Sequence, residues 1–254
     1  MRVLVTGGTG RLGRVLVPEL RRRGHDTVVL SRSPRDGEPD RLVGDLFTGV
    51  GVREALEGAE VVVHAASHVG GHDDIVAADH LLSGIREVGA RLVHVSIVGI
   101  DHHPYSYYRV KRAVEYRVER SDVPAAIQRA TQFHDFVEEM LRKCTVGPVA
   151  VVPAETSAQP VSLDAVATRL AELVDSGATG RQPDLAGPVA QTAEDLMRLS
   201  LAARRSHAQV LRVRIPGRVG AAFRRGYHLA GPGAVVAGES FAQFLARQRP
   251  GGQE

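Results

Sequence analysis

The sequence predicts an α/β fold, a doubly wound parallel sheet with a smaller C-terminal region, and three observations carry that expectation. Short apolar runs alternate with longer helical patterns from residue 2 onward; a glycine-spaced turn joins the first run to the first helix; and the alternation loosens after about residue 130. Runs such as Val61-Val62-Val63 lack the polar–apolar alternation of a half-exposed strand, as a sheet covered on both faces requires. Parallel neighbours then need crossover helices of the length seen between the runs.

In chain order, a strand fits Arg2–Thr6, a helix Arg11–Arg23 and a strand Thr27–Leu30, which together make a β-α-β opening. Further strands fit Arg41–Val43, Glu60–His64, Arg91–Val98 and Ala125–Gln128, with helices at Val52–Glu57, Ile75–Val88 and Tyr107–Arg120. Beyond them lie a helix at His134–Arg142, a proline-punctuated extended stretch Val146–Val161, a helix at Leu163–Ser176 and turns around Gly180–Pro188. Helices are expected at Thr192–Arg205, Gly217–Arg225 and Glu239–Gln248, with an apolar alternation at Val210–Ile215. The expected division is a core over residues 1–153 and a mainly substrate-covering region over 154–254, interleaved with the core and joined to it without repeat or linker.

Composition excludes several classes. With 254 residues, 43% apolar and 24% charged, the chain can bury a core and has no collagen-like or low-complexity excess. Its single cysteine, Cys144, cannot form an internal disulfide, and no Cys/His ladder has zinc spacing, so a cytoplasmic protein without a metal is expected. The apolar run Val3–Val5 is too short for a membrane span and leads into glycines, unlike a signal peptide. A net charge of +3 conceals ten arginines against four acids in residues 191–254. Thirty arginines beside two lysines indicate compositional bias, so this tail reads as a solvated face, with an anion-attracting patch as the alternative, and no nucleic-acid partner is expected.

The turn Thr6-Gly7-Gly8-Thr9-Gly10-Arg11-Leu12-Gly13 places Gly7, Gly10 and Gly13 at a GxxGxxG spacing. A chain that swings from strand into helix around a pyrophosphate needs positive φ, a position without Cβ against the phosphates, and a small residue where helix meets strand. The helix N-terminus adds N–H groups and a positive dipole end. At the end of the second strand, where an acid would bind the adenine ribose 2′-hydroxyl, the chain has Ser31 and Arg32. A hydroxyl and a guanidinium, joined by Arg11, suit a 2′-phosphate, so NADP(H) is expected in preference to NAD(H).

Eleven residues after Ser96 come Tyr107 and, four further on, Lys111, which share one face of a helix. A phenol becomes a useful proton donor at neutral pH when a nearby cation stabilises phenolate, and Lys111 supplies that cation. Ser96 is the expected orienting hydroxyl for the substrate oxygen. In a chain with five tyrosines and two lysines, a Tyr-x-x-x-Lys pair arises by chance only about 0.04 times, so Lys111 is hard to dismiss. Tyr108 and Tyr105 compete for the donor role but sit three and six residues from Lys111.

At these residues the chain resembles the short-chain dehydrogenase/reductases, specifically their atypical, NmrA-like NAD(P)H-binding branch, over roughly residues 1–175. The resemblance is carried by VTGGTGRLG (Val5–Gly13), GDL (Gly44–Leu46), VVHAAS (Val62–Ser67), VSIVGID (Val95–Asp101), YYRVK (Tyr107–Lys111), RATQFH (Arg129–His134) and QPVSLDAVA (Gln159–Ala167). It implies a Rossmann core with a small C-terminal substrate-binding region. It also implies that Asp45 and Leu46 meet the adenine, Ala65 and Ala66 the adjoining ribose and phosphates, and Thr131, Gln132 and Phe133 the nicotinamide end. Members of this branch often lack the serine or tyrosine and bind nucleotide without turnover, whereas this chain keeps Ser96, Tyr107 and Lys111 together.

Of the remaining candidates, His134 is a substrate-pocket residue or a packing one, and Cys144 reads as a packed thiol. His64, His68 and His72 are four apart, but they run from a strand end into a glycine-containing loop, without the geometry of a metal site. Asp73 and Asp74 read as the opening of the next helix. The function expected is an NADP-preferring oxidoreductase acting on a small carbonyl or quinone substrate, as a monomer or homodimer. The alternatives are a non-catalytic NADP(H)-sensing regulator and an NAD(P)-dependent epimerase or dehydratase.

Overall fold

β1 (Arg2–Thr6) is buried from Val3 to Thr6 in the computed structural model, which describes residues 1–33, 40–67 and 73–248. It turns into α1 (Gly13–Arg22), whose Pro18 lies on the exposed side, where water can solvate the carbonyl left without an N–H donor. The helix stops at Gly24 (φ +85°), where the N–H groups of Gly24 and His25 donate to the carbonyls of Arg21 and Leu20 at 2.9 and 3.2 Å. The chain continues through β2 (Asp26–Ser31), β3 (Arg41–Val43), α2 (Val52–Leu56), β4 (Val61–His64), α3 (Asp73–Val88), β5 (Arg91–Ile97), α4 (Ser106–Arg120) and β6 (Ala125–Ala130). Then come α5 (His134–Lys143), β7 (Thr145–Val146), β8 (Val149–Pro153), β9 (Ser157–Ala158), α6 (Leu163–Ser176), β10 (Gly180–Arg181) and β11 (Leu185–Ala186). β12 (Gln191–Thr192), α7 (Ala193–Ala203), β13 (Gln209–Val213), α8 (Gly217–Arg224), β14 (Val235–Val236) and α9 (Phe241–Arg247) complete it.

These elements form two compact units. The first comprises Met1–Ser96, Ser106–Arg129 and Val166–Gln182; the second comprises Ile97–Tyr105, Ala130–Ala165 and Pro183–Glu254. The boundary expected at residue 153 is therefore not where the chain divides: α5 and β8 belong to the second unit and most of α6 to the first. Leu170, Leu173 and Val174 of α6 are buried, and Arg91 donates to the carbonyls of Leu173 and Val174, which ties the helix to β5. Helical periodicity reveals that α6 has an apolar face but not which sheet that face covers.

In the first unit the strands lie in the order β6-β5-β4-β1-β2-β3, and the pairs β1–β2, β1–β4, β2–β3 and β4–β5 are parallel. The chain moves outward from β1 to β3 and returns to β4 on the other side of β1, so right-handed crossovers put helices on both faces. On one face Leu4, Val62, Leu92 and Ile127 pack against Leu56 of α2, Leu81 and Ile85 of α3 and Val118 of α4. Each such fully buried side chain contributes roughly 1.5–3 kcal/mol of transfer free energy. α1 and α6 are joined by Asp175, which accepts from Arg23 at 2.7 Å and from His25 at 2.8 Å. The reversal of strand order leaves a crevice beyond the C-terminal ends of β1 and β4.

The second unit has its own core, in which Val137 and Leu141 of α5, Leu196, Met197 and Leu201 of α7 and Phe241, Phe244 and Leu245 of α9 enclose Ala150 and Val152 of β8. The apolar alternation expected at 210–215 forms β13, which pairs parallel with β8, while β7 pairs antiparallel with it. β9 and β12 form an antiparallel pair, and β11 pairs with β14. α9 opens on a reciprocal capping box between Ser240 and Gln243, and α7 on Thr192, which accepts from the Asp195 N–H.

Two buried histidines make the first unit acid-sensitive. His64 and His94 are register partners on β4 and β5 with rings stacked 5.4 Å apart. Thr6 Oγ1 lies 2.7 Å from His64 Nδ1, and both ring nitrogens of His94 are buried without a hydrogen-bond partner among the described residues. Burial, reinforced by the Lys111 charge, pushes His64 down to about 3 and His94 well below the ordinary 6.5. Both imidazoles must therefore stay neutral in the folded protein. Between pH 6.5 and about 3 the unfolded chain binds protons that the folded one refuses, so stability is complete above 6.5 and falls with the pH. Each unit of pH below 6.5 should remove about 1.4 kcal/mol per imidazole. Denaturant midpoints measured from pH 7.5 to pH 5 should fall steadily, and a flat profile would contradict this placement.

Candidate active site

The glycine turn is shaped by contacts that leave no room for side chains. Gly7 has φ +72°, and a Cβ there would stand 2.7 Å from Ala65 C and Ala66 N. A Cβ on Gly13 would meet the Gly7 carbonyl oxygen at 2.3 Å, so α1 can approach β1 only through glycine. Gly10 is more open: its Cβ would meet only the Gly7 oxygen, at 3.1 Å. The turn closes through the Gly10 N–H to Gly7 carbonyl bond at 2.9 Å and continues into α1 through Arg14 N–H to Gly10. α1 has neither a side-chain cap nor an acid in its first turn, so its N-terminal N–H groups and dipole are available to an anion. Leu12 is buried at the helix start and Arg11 is exposed beside it. A turn walled by backbone and free of Cβ atoms at Gly7, Gly8, Gly10 and Gly13 fits a dinucleotide pyrophosphate.

The other expected nucleotide residues of the first unit lie at the same ends of the parallel strands. The Ala65 N–H donates to the Thr6 carbonyl at 3.2 Å, which joins the segment after β4 to the glycine turn. The Ser31 carbonyl accepts from the Gly44 N–H at 2.9 Å, which joins the end of β2 to the GDL segment. Arg32 is exposed and makes no ion pair among the described residues. Asp45 Oδ1 accepts the Phe47 N–H at 2.9 Å and so shapes its own turn. Leu46, partly buried against the core, accepts from His80 Nδ1 through its carbonyl at 2.9 Å.

Directly after Ala66, Ser67 is exposed, and its Oγ lies 3.4 Å from the half-buried Tyr107 hydroxyl. Lys111 follows one turn later on α4, only 4% exposed, and makes no hydrogen bond among the described residues. Burial lowers its affinity for a proton, while the Asp74 and Glu115 carboxylates raise it. Of the competing tyrosines, Tyr108 is buried, with its ring edge-on to Tyr107, and Tyr105 is exposed outside the helix.

Ser96 is buried at the end of β5, and its hydroxyl donates at 2.6 Å to Glu115 Oε2. Glu115 is also held by Arg129, whose Nε lies 3.0 Å from both carboxylate oxygens and whose Nη2 lies 2.5 Å from Oε1. Both partners of this ion pair are buried, and a buried pair of this kind persists only when its remaining hydrogen bonds are satisfied. Spacing identified Ser96 but could not show that a carboxylate one turn beyond Lys111 takes its hydrogen. Asp74, in the first turn of α3 as expected, also accepts at 2.8 Å from Ser67, a contact that no spacing rule signals.

In the second unit Thr131 is buried with an Oγ1 lacking a partner among the described residues, and its N–H donates to the Leu185 carbonyl at 2.9 Å. Gln132 donates to the His228 carbonyl at 3.0 Å, and Phe133 forms a bridge with Val161 ahead of α5. His134 lies at the start of α5. It is 1% exposed, its Nε2 donates to the Glu239 carbonyl at 3.0 Å, and its ring packs on Phe241 and Phe244, 5.7 and 5.1 Å away between centroids. The histidine run is described only at His64, since His68 and His72 lie outside the described residues. Among the described residues no three His, Cys, Asp or Glu side chains converge as metal ligands, and no helix is long and apolar enough to cross a membrane.

Comparison with known proteins agrees with this geometry. The profile of the family described as NAD(P)H-binding matches residues 7–177. A dTDP-4-dehydrorhamnose reductase of Mycobacterium tuberculosis is 29% identical over 71% of this chain and 68% of its own length. An uncharacterized M. tuberculosis protein is 36% identical over 38% of this chain, and the match spans only 12% of that relative's length. Among solved structures, an NADPH-dependent quinone oxidoreductase of Escherichia coli in complex with NADPH superposes with a TM-score of 0.82. It has 14% identity and covers 96% of this chain and 99% of the other. A UDP-N-acetylglucosamine 4-epimerase of Bacillus cereus has a TM-score of 0.73 at 16% identity, covering 97% and 94%. At such identities the structural likeness establishes the fold, which is the mostly parallel, helix-flanked Rossmann arrangement. With a matching profile over most of its length and a backbone cradle at the switch point of its sheet, the chain belongs to the NAD(P)H-binding family.

Proposed function

We propose that the protein is an NADP(H)-preferring reductase of a small carbonyl or quinone compound, with Tyr107 as proton donor. The observation that carries this reading is the place of the Tyr107 hydroxyl: 3.4 Å from Ser67, the residue that directly follows Ala65 and Ala66 at the glycine cradle, and one turn from the buried Lys111. Gly7, Gly10, Leu12 and Gly13 would hold the pyrophosphate, and Ser31, Arg32 and Arg11 the 2′-phosphate. Asp45 and Leu46 would meet the adenine, Ala65 and Ala66 the ribose and phosphates, and Thr131, Gln132 and Phe133 the nicotinamide end. When bound, the cofactor would supply a hydride to the substrate carbon. Tyr107 would give its hydroxyl proton to the substrate oxygen, and the Lys111 charge would lower the cost of the phenolate left behind. Ser96 contributes indirectly by steadying Glu115, which helps to keep Lys111 charged. The NADPH-dependent quinone oxidoreductase among the structural relatives supports a quinone-like substrate as the first to try.

Three outcomes test this reading. Gly10→Val, at the one cradle glycine where a side chain strains only a single contact, should leave the fold intact and abolish dinucleotide binding; undiminished affinity in a folded variant removes the cradle assignment. NADPH should bind at least about tenfold more tightly than NADH, a difference of about 1.4 kcal/mol, and Arg32→Ala should erase most of it. Equal affinities by titration would make Arg32 a surface residue. Tyr107→Phe should keep NADPH affinity while turnover falls roughly 10²–10⁴-fold. Normal turnover of a true substrate by that variant would place the donor elsewhere.

A further inference from the structure

Asp74 and Ser67 stand outside the roles assigned above, yet they are connected to Tyr107. Ser67 Oγ donates to Asp74 Oδ2 at 2.8 Å and lies 3.4 Å from the Tyr107 hydroxyl oxygen. A serine has one hydrogen to give, and an ionised carboxylate can only accept. With its hydrogen directed at Asp74, Ser67 can meet Tyr107 only as an acceptor. We propose that Asp74 and Ser67 form a positioning pair for the Tyr107 phenol, Ser67 giving its hydrogen to Asp74 and accepting that of Tyr107. The catalytic consequence rests on the donor reading of Tyr107, whereas the hydrogen-bond order does not.

The surrounding charges give the pair its purpose. Lys111 and Glu115 stand on α4, Asp74 on α3, and the neutral His64 and His94 on β4 and β5. Lys111 favours the phenolate; an acceptor backed by the Asp74 carboxylate favours the protonated phenol. The two influences oppose each other, so the phenol keeps its proton until a substrate oxygen competes for it. Asp74 serves both sides, because its charge also favours the protonated form of Lys111 against burial. A contact of 3.4 Å is long for O–H···O, as catalytic hydrogen bonds often are before ligand binds. The exposed Ser67 needs to move by only a few tenths of an ångström to close it.

The chain has five tyrosines and no tryptophan, so ionised tyrosine can be followed by its ultraviolet difference absorbance in the ligand-free protein. Subtracting the titration of Tyr107→Phe isolates Tyr107. Ser67→Ala removes the acceptor, and Tyr107 should then ionise about tenfold more readily, at a pH about one lower. Asp74→Asn replaces the charged acceptor of the Ser67 hydrogen by a weaker, neutral one, so that hydrogen can turn toward the phenolate more readily and the curve should shift in the same direction. Ser67→Thr keeps the hydroxyl and should restore the parent curve. Titration unchanged in Ser67→Ala or Asp74→Asn, or Ser67→Thr behaving like Ser67→Ala, overturns the pair and leaves the Ser67–Asp74 bond as a tie between loop and helix. Failure of the donor reading looks different: Tyr107→Phe would turn over normally while the shift in Ser67→Ala remained, and that outcome supports the pair.

Discussion

The buried charge of Lys111 is the constraint around which the first unit is organised. An ammonium that is 4% exposed and makes no hydrogen bond among the described residues pays a desolvation penalty that something must offset. Two carboxylates do so from different elements, Asp74 at the start of α3 and Glu115 one turn further along α4. Glu115 is itself tied to Arg129 and Ser96, so the charge that balances Lys111 is fixed in place by β5 and β6. The same field falls on His64 and His94, which adds to burial in keeping them neutral. Six ionisable groups and a serine therefore act as one electrostatic unit beneath the ends of the strands, and changing any one alters the cost of the others.

The glycine turn provides a complementary environment a few residues away in the fold. Where Lys111 is surrounded by carboxylates and rings, the glycines of the turn offer backbone, Gly7 pressed against Ala65 and Ala66 and Gly13 against Gly7 and Gly8, with α1 starting uncapped. Close packing of Gly13 on Gly7 and Gly8 aims the helix dipole at the crevice where the strand order reverses. Ala65, Ala66 and Ser67 bridge the two environments, since the first two wall the cradle and the third reaches Tyr107. The glycine turn and the Tyr107 hydroxyl thus lie at the two ends of one three-residue segment. That arrangement suits a reaction in which a bound nucleotide and an acidic hydroxyl must meet the same small molecule.

The second unit shows a different use of similar residues. His134 and His228 are buried with lowered proton affinity, yet each anchors a backbone carbonyl, of Glu239 and Ser157 respectively. His228 also packs edge-on against Phe223. These imidazoles join loops to helices as neutral hydrogen-bond donors with an apolar body, so a histidine-rich sequence does not by itself indicate acid–base chemistry.

The sequence by itself determined the elements and the cradle. Apolar runs of the right length, the glycine spacing between a strand and a helix, and the rarity of lysine identified β1, α1, Gly7–Gly13 and the Tyr107–Lys111 pair, because local periodicity and backbone sterics act over a few residues. Tertiary structure alone decided what each polar side chain touches. Ser96 has the spacing of an orienting hydroxyl, but Glu115, nineteen residues on, takes its hydrogen. Ser67 and Asp74 are separated from Tyr107 by forty and thirty-three residues, and only the pairing of β4 with β5 and the packing of α3 on α4 bring the three together. The division between units escaped the sequence for the same reason: α6 declares its apolar face locally, while the surface that face covers is set by contacts with β5 and α1 far away in the chain.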